Sequence, residues 1–354
     1  MAFSKMRPPE PSPAFDVYWK FAAERQDVFH RKFNEQPAPW TDDPIISIYK
    51  FTNAYRASDR VSQYLIGEVI EKTPKNASAA DLFLRIILFK IFNKERTWDC
   101  LIEEFGEINT KTFSVTRMNR VLEKQMAMKN RIYSAAYIIP PVNMGKDSKH
   151  YNHLLLIDKM LKDGLPEKIQ NAKSLERVFN LILECQGIGP FLGFQYAIDL
   201  NYSRLIDFDE NSFVVPGPGA KDGIRKCFAS LGDYGEADII KYMTDRQDEE
   251  FKRLGISFCD LWGRKLHLID CQNLFCEVDK YCRVALPHIQ GISGRGRIKQ
   301  KYSVTHAKIR YAYPYKWGIT AKVQAERQAA HQIGGPLCSS RNTKSLLPLQ
   351  TSFL

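Results

Sequence analysis

The chain has 354 residues, 44% of them hydrophobic and 26% charged, which suits a globular protein of one large domain or two ordinary ones. No apolar run of membrane-spanning length and no signal-peptide core occur, so we expect an intracellular protein of the cytoplasm, nucleoid or nucleus, not secreted and without a membrane partner. The net charge of +11 is concentrated in residues 286–354, which hold 11 Lys/Arg and one acid, Glu326.

The periodicity of the sequence predicts an all-α fold. Residues 1–45 are rich in proline and predict an irregular N-terminal arm with one helix over 15–33. Residues 46–285 predict a helical domain, because apolar residues recur at three- and four-residue steps and strand-like alternation is scarce. The predicted helices cover residues 51–71, 79–94, 116–139, 152–162, 174–185, 190–200, 220–231, 236–254 and 260–283, and 79–94 is apolar enough to lie in the core.

One stripe of the predicted helix over 51–71 is polar and lies opposite an apolar side. Guanidinium groups suit phosphates, and a carboxylate between them can orient them. We therefore predict substrate or phosphate binding by this stripe; a surface face held by salt bridges is the alternative. The stripe consists of Arg56, Asp59, Arg60 and Gln63.

Residues 184–193 predict a turn between two helices, the second with Pro190 at its first position. Gly187 and Gly189 allow the chain to turn sharply and let a phosphate approach the backbone N–H groups. This helix–hairpin–helix pattern predicts binding to one DNA strand through its phosphates, without sequence preference. An ordinary tight turn between packed helices is the alternative.

The glycine-rich loop over 213–224 is a second candidate for phosphate contacts. Asp222 stands where a P-loop has Ser or Thr after its lysine, so nucleotide hydrolysis is not predicted. The amides of Gly217 and Gly219 are instead candidates for contacts to a substrate phosphate or a flipped base.

The polar and aromatic helix over 270–283 contributes a further candidate, Lys280, for lining the site, although an ordinary helix explains the pattern as well. Four of the eight cysteines lie in this part of the chain, without a C-x-x-C pair, which favours buried free thiols over a metal cluster. Of the seven histidines, only His150 and His153 could form a pair on one helix face, and we do not expect that pair to bind a metal. We therefore predict no metal and no cofactor.

The basic C-terminal segment, 286–354, predicts a polyanion partner, nucleic acid before membrane, with a solvated tail as the alternative. Within it, 291–301 is predicted to be flexible, and Arg295, Arg297 and Lys299 are predicted to contact DNA. The aromatic stretch over 312–319 is expected to dock back on the body. Residues beyond about 325 are predicted to be disordered.

The hairpin resembles that of the helix–hairpin–helix DNA glycosylases, and the resemblance covers residues 50–285. It implies a glycosylase-like helical body with an irregular basic C-terminal tail. The family's catalytic aspartate corresponds to Asp209, with Asp207 and Asn211 beside it. The Schiff-base lysine of its bifunctional members corresponds to Phe191, so lyase chemistry through that lysine is not expected. The acidic loop is equally compatible with a solvated helix cap.

Several motifs together resemble a more particular family, the helical domain of phage 5-hydroxymethyl-deoxyuridine DNA kinases, also known as the α-glutamyl/putrescinyl-thymine pyrophosphorylase clade. The resemblance covers residues 40–320. It implies hypermodification of thymine in DNA, in which hydroxymethyluracil is pyrophosphorylated and an amine or amino acid then displaces the pyrophosphate. The motifs are FTNAYRASDR at 51–60, GIGPFLGFQ at 187–195, DFDEN with VPGPGA at 207–220, CQNLFCE at 271–277 and YKWGI at 315–319.

The missing P-loop leaves the displacement step or an accessory role for this chain. The partners implied are double-stranded DNA with a flipped base, an amine or amino-acid co-substrate and a separate DNA kinase. We expect Asp209 to act as the base, Arg56 and Arg60 to bind the leaving pyrophosphate, and Gln195 and Asn211 to share their cleft. A monofunctional DNA glycosylase and a non-catalytic DNA-binding module are the alternative functions.

Overall fold

The computed structural model describes residues 6–137, 139–304 and 311–333, with the backbone alone for 329–333. The described residues are mainly helical, which confirms the all-α prediction, and β1 (Glu10–Pro11) pairs antiparallel with β2 (Phe228–Ser230). Within them, no helix has both the length and the apolarity needed to cross a membrane. The α-helices are α1 (Pro13–Phe33), α2 (Pro44–Ile48), α3 (Arg60–Tyr64), α4 (Ala79–Phe92), α5 (Glu95–Phe105), α6 (Val115–Ala127), α7 (Lys149–Lys162), α8 (Leu165–Gln170), α9 (Leu175–Leu183), α10 (Pro190–Asn201), α11 (Pro218–Cys227), α12 (Glu236–Arg253), α13 (Leu268–Ala285) and α14 (Thr320–Ile333).

Two compact units divide the chain, and neither is continuous in sequence. Among the described residues, the first unit takes 6–59, 214–304 and 321–333, and the second takes 60–137, 139–213 and 311–320. These borders differ from the predicted division into 1–45, 46–285 and 286–354, because segments from both ends of the chain pack within the first unit.

The N-terminal helix is part of the core of the first unit. The helix predicted over 15–33 is present as α1, but Tyr18, Trp19 and Phe21 are fully buried, which an irregular arm would not allow. The Tyr18 ring lies 4.7 Å from that of Phe275 on α13. Apolar burial of these large rings therefore fixes α1 against α13.

Helices α11 and α13 cross closely because α11 presents glycine to its neighbour. A Cβ on Gly223 would stand 2.0 Å from the Phe275 carbonyl oxygen, and one on Gly219 would stand 3.0 Å from Cys276 Sγ. The close packing of the two helices therefore explains why glycine occupies both positions.

The second unit is built around α4. Ser78 caps its N-terminus in a reciprocal capping box with Asp81, and its residues from Leu82 to Phe92 are buried. This confirms the prediction that the helix over 79–94 lies in the core.

The continuous helix predicted over 51–71 is wrong. Residues 51–59 form a loop with a 3-10 turn at Arg56–Ser58, and α3 is followed by a π-helical turn at Leu65–Ile70. In this loop the Asn53 N–H donates to Asp59 Oδ1 (2.8 Å) and the Asn53 side-chain amide donates to Ser58 O (2.7 Å). Such local side-chain bonds compete with helix formation. The helix predicted over 116–139 also ends earlier, at Ala127, near the left-handed Lys129.

The basic stretch predicted to be flexible is held to the first unit. The buried Asp222 carboxylate accepts hydrogen bonds from Ser293 N (2.7 Å) and Arg295 Nη2 (2.8 Å). Further along, Lys50 N donates to Gln300 O at 3.0 Å. Helix α14 continues to Ile333, so helix extends beyond the predicted limit of order near 325, while 334–354 lie outside the described residues.

Candidate active site

A charged cluster in the first unit gathers residues from three parts of the chain. Thr52 N donates to Glu277 Oε2 (3.0 Å), which also pairs with Lys280 Nζ (2.7 Å). The Lys280 ammonium lies 4.8 Å from the centre of the Phe51 ring. We call this the Asp59 cluster: Arg25, Asn53, Arg56, Asp59, Glu277 and Lys280.

Two arginines bring buried positive charge to the Asp59 cluster. Arg25 is 7% exposed; its Nε donates to Thr52 O (2.9 Å) and its Nη2 to Asn53 Oδ1 (3.0 Å). Arg56 is 1% exposed and its backbone N–H donates to Asp270 Oδ1 at 2.8 Å. Burial raises the pKa of Asp270, so a desolvated helix-capping carboxyl supports the loop.

Asp59 is the most perturbed acid of the cluster. Burial is the main cause of its raised pKa, about 7; the charge of Glu277 adds to the rise, and the Asn53 N–H, Arg25 and Arg56 oppose it. A carboxyl with a pKa near neutrality can accept and return a proton at physiological pH. The cluster thus combines a proton acceptor with guanidinium donors suited to phosphate oxygens.

Sequence reasoning placed Arg56, Asp59 and Lys280 among the binding residues, and all three lie in this cluster. It missed Arg25 and Glu277. Both could have been found as charged residues on the buried side of their predicted helices. Lys, Arg and Glu are seldom buried without a partner or a function.

The other half of the predicted stripe belongs to the second unit. Arg60 is exposed and forms an ion pair with Glu95. Gln63 is buried and its Oε1 accepts a hydrogen bond from Ala312 N at 2.7 Å. The four residues therefore do not form one stripe of a single helix, because Arg56 precedes α3 and is buried, and Gln63 is buried on α3. Substrate or phosphate binding by these residues stays a prediction.

The acidic loop of the second unit has one buried acid and two exposed ones. Asp207 and Asp209 are exposed, and Asp209 Oδ1 accepts a hydrogen bond from the N–H of the exposed Asn211 at 2.9 Å. The buried member is Glu210, which accepts a hydrogen bond from Trp317 Nε1 at 2.8 Å. Gln195 on α10 is fully buried. A shared cleft for these residues stays a prediction.

The predicted hairpin has the expected local geometry. Helix α9 ends at Leu183, Gly187 has a φ of +78°, Gly189 is the N-cap of α10 and Pro190 is its first residue. The first-turn N–H groups of α10 are available to an anion by the usual geometry of helix starts. Binding of DNA by this turn stays a prediction.

The two hairpin glycines make a matched pair for a stability test. We expect Gly187→Ala to destabilise the protein by about 2 kcal/mol or more, because alanine resists a positive φ and its Cβ would lie 2.1 Å from Val142 Cγ1. Gly189→Ala should have little effect, since nothing lies within 4 Å of its Cβ position. Denaturant unfolding of both variants measures this; equal stabilities would contradict the observed turn.

The remaining residues that were predicted to contact substrate or DNA lie in different environments. Gly217 is the buried N-cap of α11, and Gly219 faces Cys276. Arg295 is tied to Asp222, whereas Arg297 and Lys299 have exposed side chains. In the described ranges no three His, Cys, Asp or Glu side chains converge as a metal site would require.

The fold and this cluster define an all-α protein with a charged, largely buried site on a loop between helices. The chain belongs to the family described as the 5-hmdU DNA kinase helical domain, which matches residues 12–291. It is similar to a 5-hmdU DNA kinase of Bacillus phage SP10, 28% identical over 287 residues that cover 75% of this chain and 44% of the relative. The chain thus spans less than half the length of that relative. No solved structure matches it.

Proposed function

We propose that this chain modifies DNA that contains a 5-hydroxymethyluracil derivative, joining an amine or amino acid to the base as pyrophosphate leaves. The observation that carries the proposal is Asp59, a largely desolvated carboxyl with a pKa of about 7 beside Glu277 and the guanidinium groups of Arg25 and Arg56. The name of the phage relative, a 5-hmdU DNA kinase, supports the class of base.

The reaction is a displacement at the 5-methylene carbon of the base. The nitrogen lone pair of the amine forms the new C–N bond while the C–O bond to pyrophosphate breaks, and its electron pair leaves with the oxygen. Asp59 accepts the proton that the ammonium co-substrate must lose. Arg25, Arg56 and Lys280 offset the charge on the departing pyrophosphate.

The substrate must reach this site as an extruded nucleotide. A 5-substituent in the stacked duplex cannot meet a second substrate and a buried carboxyl at once, so a flipped base is required. The pyrophosphorylated base must come from a phosphoryl-transfer reaction. A DNA kinase is the source that we propose for it.

Asp59 replaces Asp209 as our first choice of base for an electrostatic reason. Asp209 is exposed to water and accepts a hydrogen bond from its own loop, whereas Asp59 is desolvated. Catalytic roles for Asp209, Asp207 and Asn211 stay predictions. Variants of Asp59 and Asp209 distinguish the two assignments.

The test is incubation of the full chain with duplex DNA carrying pyrophosphorylated hydroxymethyluracil and a mixture of amines and amino acids. Nucleoside mass spectrometry should detect an amine adduct on the base together with released pyrophosphate. Release of a free base would instead indicate a DNA glycosylase. DNA binding with neither product would indicate a non-catalytic binding module.

DNA binding should depend strongly on salt, because phosphate contacts release counterions. We expect the double variant Arg297→Gln/Lys299→Gln to reduce the slope of log affinity against log salt by about 1.8, since each phosphate that is no longer neutralised lowers the slope by about 0.9. The matched control, Lys159→Gln/Lys162→Gln, removes two exposed lysines that pair with Asp163 and Asp158, and should leave the slope unchanged. Equal slopes for the two variants would exclude this segment from the DNA interface.

A further inference from the structure

Lys32 stands out in the first unit as a largely enclosed cation with an unusual environment. Its Nζ donates to Tyr302 Oη at 2.9 Å, and it lies 4.6 Å from the ring centre of Trp40 and 4.5 Å from that of Tyr302. Burial, and then the charge of Arg25, lowers its pKa to about 8. Among the described residues no carboxylate forms an ion pair with this ammonium.

Arg25, a member of the Asp59 cluster, also interacts electrostatically with Lys32. A guanidinium has five N–H donors, and the described residues accept from two of those of Arg25, through Thr52 O and Asn53 Oδ1. The nearby Thr52 hydroxyl is shielded from solvent and has no hydrogen-bond partner in the described ranges. The remaining donors of Arg25 can therefore take a further acceptor, such as an oxygen of an anion.

The position of Tyr302 is set by the backbone. Tyr302 N donates to Ile48 O at 2.8 Å, and Lys50 N donates to Gln300 O, so the strand-like pairing holds the ring beside Lys32. The two rings shield part of the ammonium from water, and partial desolvation strengthens its attraction for an anion.

We propose that Lys32 and Arg25 form a subsite for a phosphate group, namely the terminal phosphoryl group of a base-linked diphosphate. Two like charges with leftover donors and no carboxylate at the lysine match a phosphoryl group, which brings negative charge and several acceptor oxygens. The identification of this anion as the leaving group rests on the proposed function. The anion site itself rests on the contacts of Lys32, Arg25 and Thr52.

The test uses inorganic diphosphate as the probe and the full chain with ¹³C-labelled lysine. The titration of the Lys32 Cε resonance, assigned by its loss in Lys32→Met, is followed by NMR with and without the probe. We expect diphosphate to move the pKa of Lys32 upward from about 8, toward the ordinary value of about 10.4.

Affinity measurements on variants provide the second readout. We expect Lys32→Met to weaken diphosphate binding at least about tenfold, as removal of a charge-assisted hydrogen bond does. Lys32→Arg keeps the positive charge and should weaken binding less than Lys32→Met does. The matched control is Lys50→Met, which removes an exposed lysine from the same loop region and should change affinity less than about twofold.

Two results would overturn the subsite. One is an unchanged Lys32 titration in saturating diphosphate together with wild-type affinity in Lys32→Met. The other is a shift caused by unmodified duplex DNA but not by diphosphate, which would assign the lysine to the DNA backbone. Neither readout requires turnover, so failure of the amine-transfer reaction leaves this test intact.

Discussion

Asp59→Asn should abolish turnover and yet stabilise the folded protein at about pH 8. Asparagine is nearly isosteric and still accepts the Asn53 N–H, but it cannot take a proton, so loss of a general base should lower kcat by about 10²–10⁴-fold. Because the amide keeps the loop closed, DNA affinity should stay within about threefold of wild type. Single-turnover kinetics and thermal unfolding of the same preparation measure both effects.

The stabilisation follows from the sign of the pKa shift. Asp59 has a higher pKa in the folded chain, about 7, than its ordinary 3.8, so folding favours its protonated form. The associated stability is present below the unfolded value and is lost as pH rises through about 7. Ionised Asp59 therefore costs stability at neutral pH. Asparagine carries no such cost, and the gain in Tm should vanish below about pH 4.

The rate of the reaction should rise with pH, whereas the stability contributed by Asp59 falls with pH. A general base acts when it is ionised, so the rate should rise with pH and reach half its maximum near pH 7. Lys32, with a pKa of about 8, would weaken its hold on an anion above that pH. A bell-shaped profile of kcat/KM with these two limits is the expected result for the wild-type chain, because kcat/KM reports the groups of the free enzyme.

Asp209→Asn is the control that decides between the two assignments. If Asp59 is the base, Asp209→Asn keeps activity within about twofold, because that carboxylate is exposed and its loop has other anchors. If the assignment by resemblance is right, Asp209→Asn loses activity and Asp59→Asn retains it. Full activity in Asp59→Asn would rule out our mechanism.

Local signals allowed part of this structure to be predicted. The apolar circumference of the helix over 79–94 indicated a buried α4, and Gly-Ile-Gly before Pro190 indicated the turn into α10. Both depend on neighbours in sequence, through helical periodicity and through the fixed φ of proline.

The candidate site could not be predicted as a whole because its contacts are long-range. The loop over 51–59 has a helical pattern of residue types, but the Arg56 N–H bonds to Asp270, a residue more than two hundred positions away. Asp59 was correctly singled out as a polar residue of that motif. Its desolvation and its raised pKa became visible only in the folded chain.

The aromatic segment before α14 is a second case in which long-range contacts decide the role of a sequence feature. Sequence composition indicated that 312–319 docks on the body, and the structure confirms contacts to the second unit. Lys316 Nζ donates to Ile206 O at 2.9 Å and pairs with Asp207 Oδ1 at 3.1 Å. Trp317 meets Tyr202 edge-on at 5.6 Å between ring centres. This segment thus stabilises the position of the acidic loop, a role that its composition alone does not reveal.

Removing this segment should therefore destabilise the second unit rather than simply reduce charge. Tyr313 is fully buried and stacks on Trp317, whose indole N–H donates to the buried Glu210. We expect truncation after residue 310 to cost about 5 kcal/mol, from two large aromatic side chains at about 1.5–3 kcal/mol each, and to lower Tm by about 10–20 °C. Tyr313→Ala alone should cost about 3–5 kcal/mol.

The control is truncation after residue 333, which retains the aromatic segment and α14. Amide hydrogen exchange gives the local readout: residues 206–211 should lose protection after truncation at 310 and keep it after truncation at 333. This follows because Lys316 and Trp317 hold Ile206, Asp207 and Glu210. Equal Tm values and equal exchange for the two truncations would show that the acidic loop is stable without this segment.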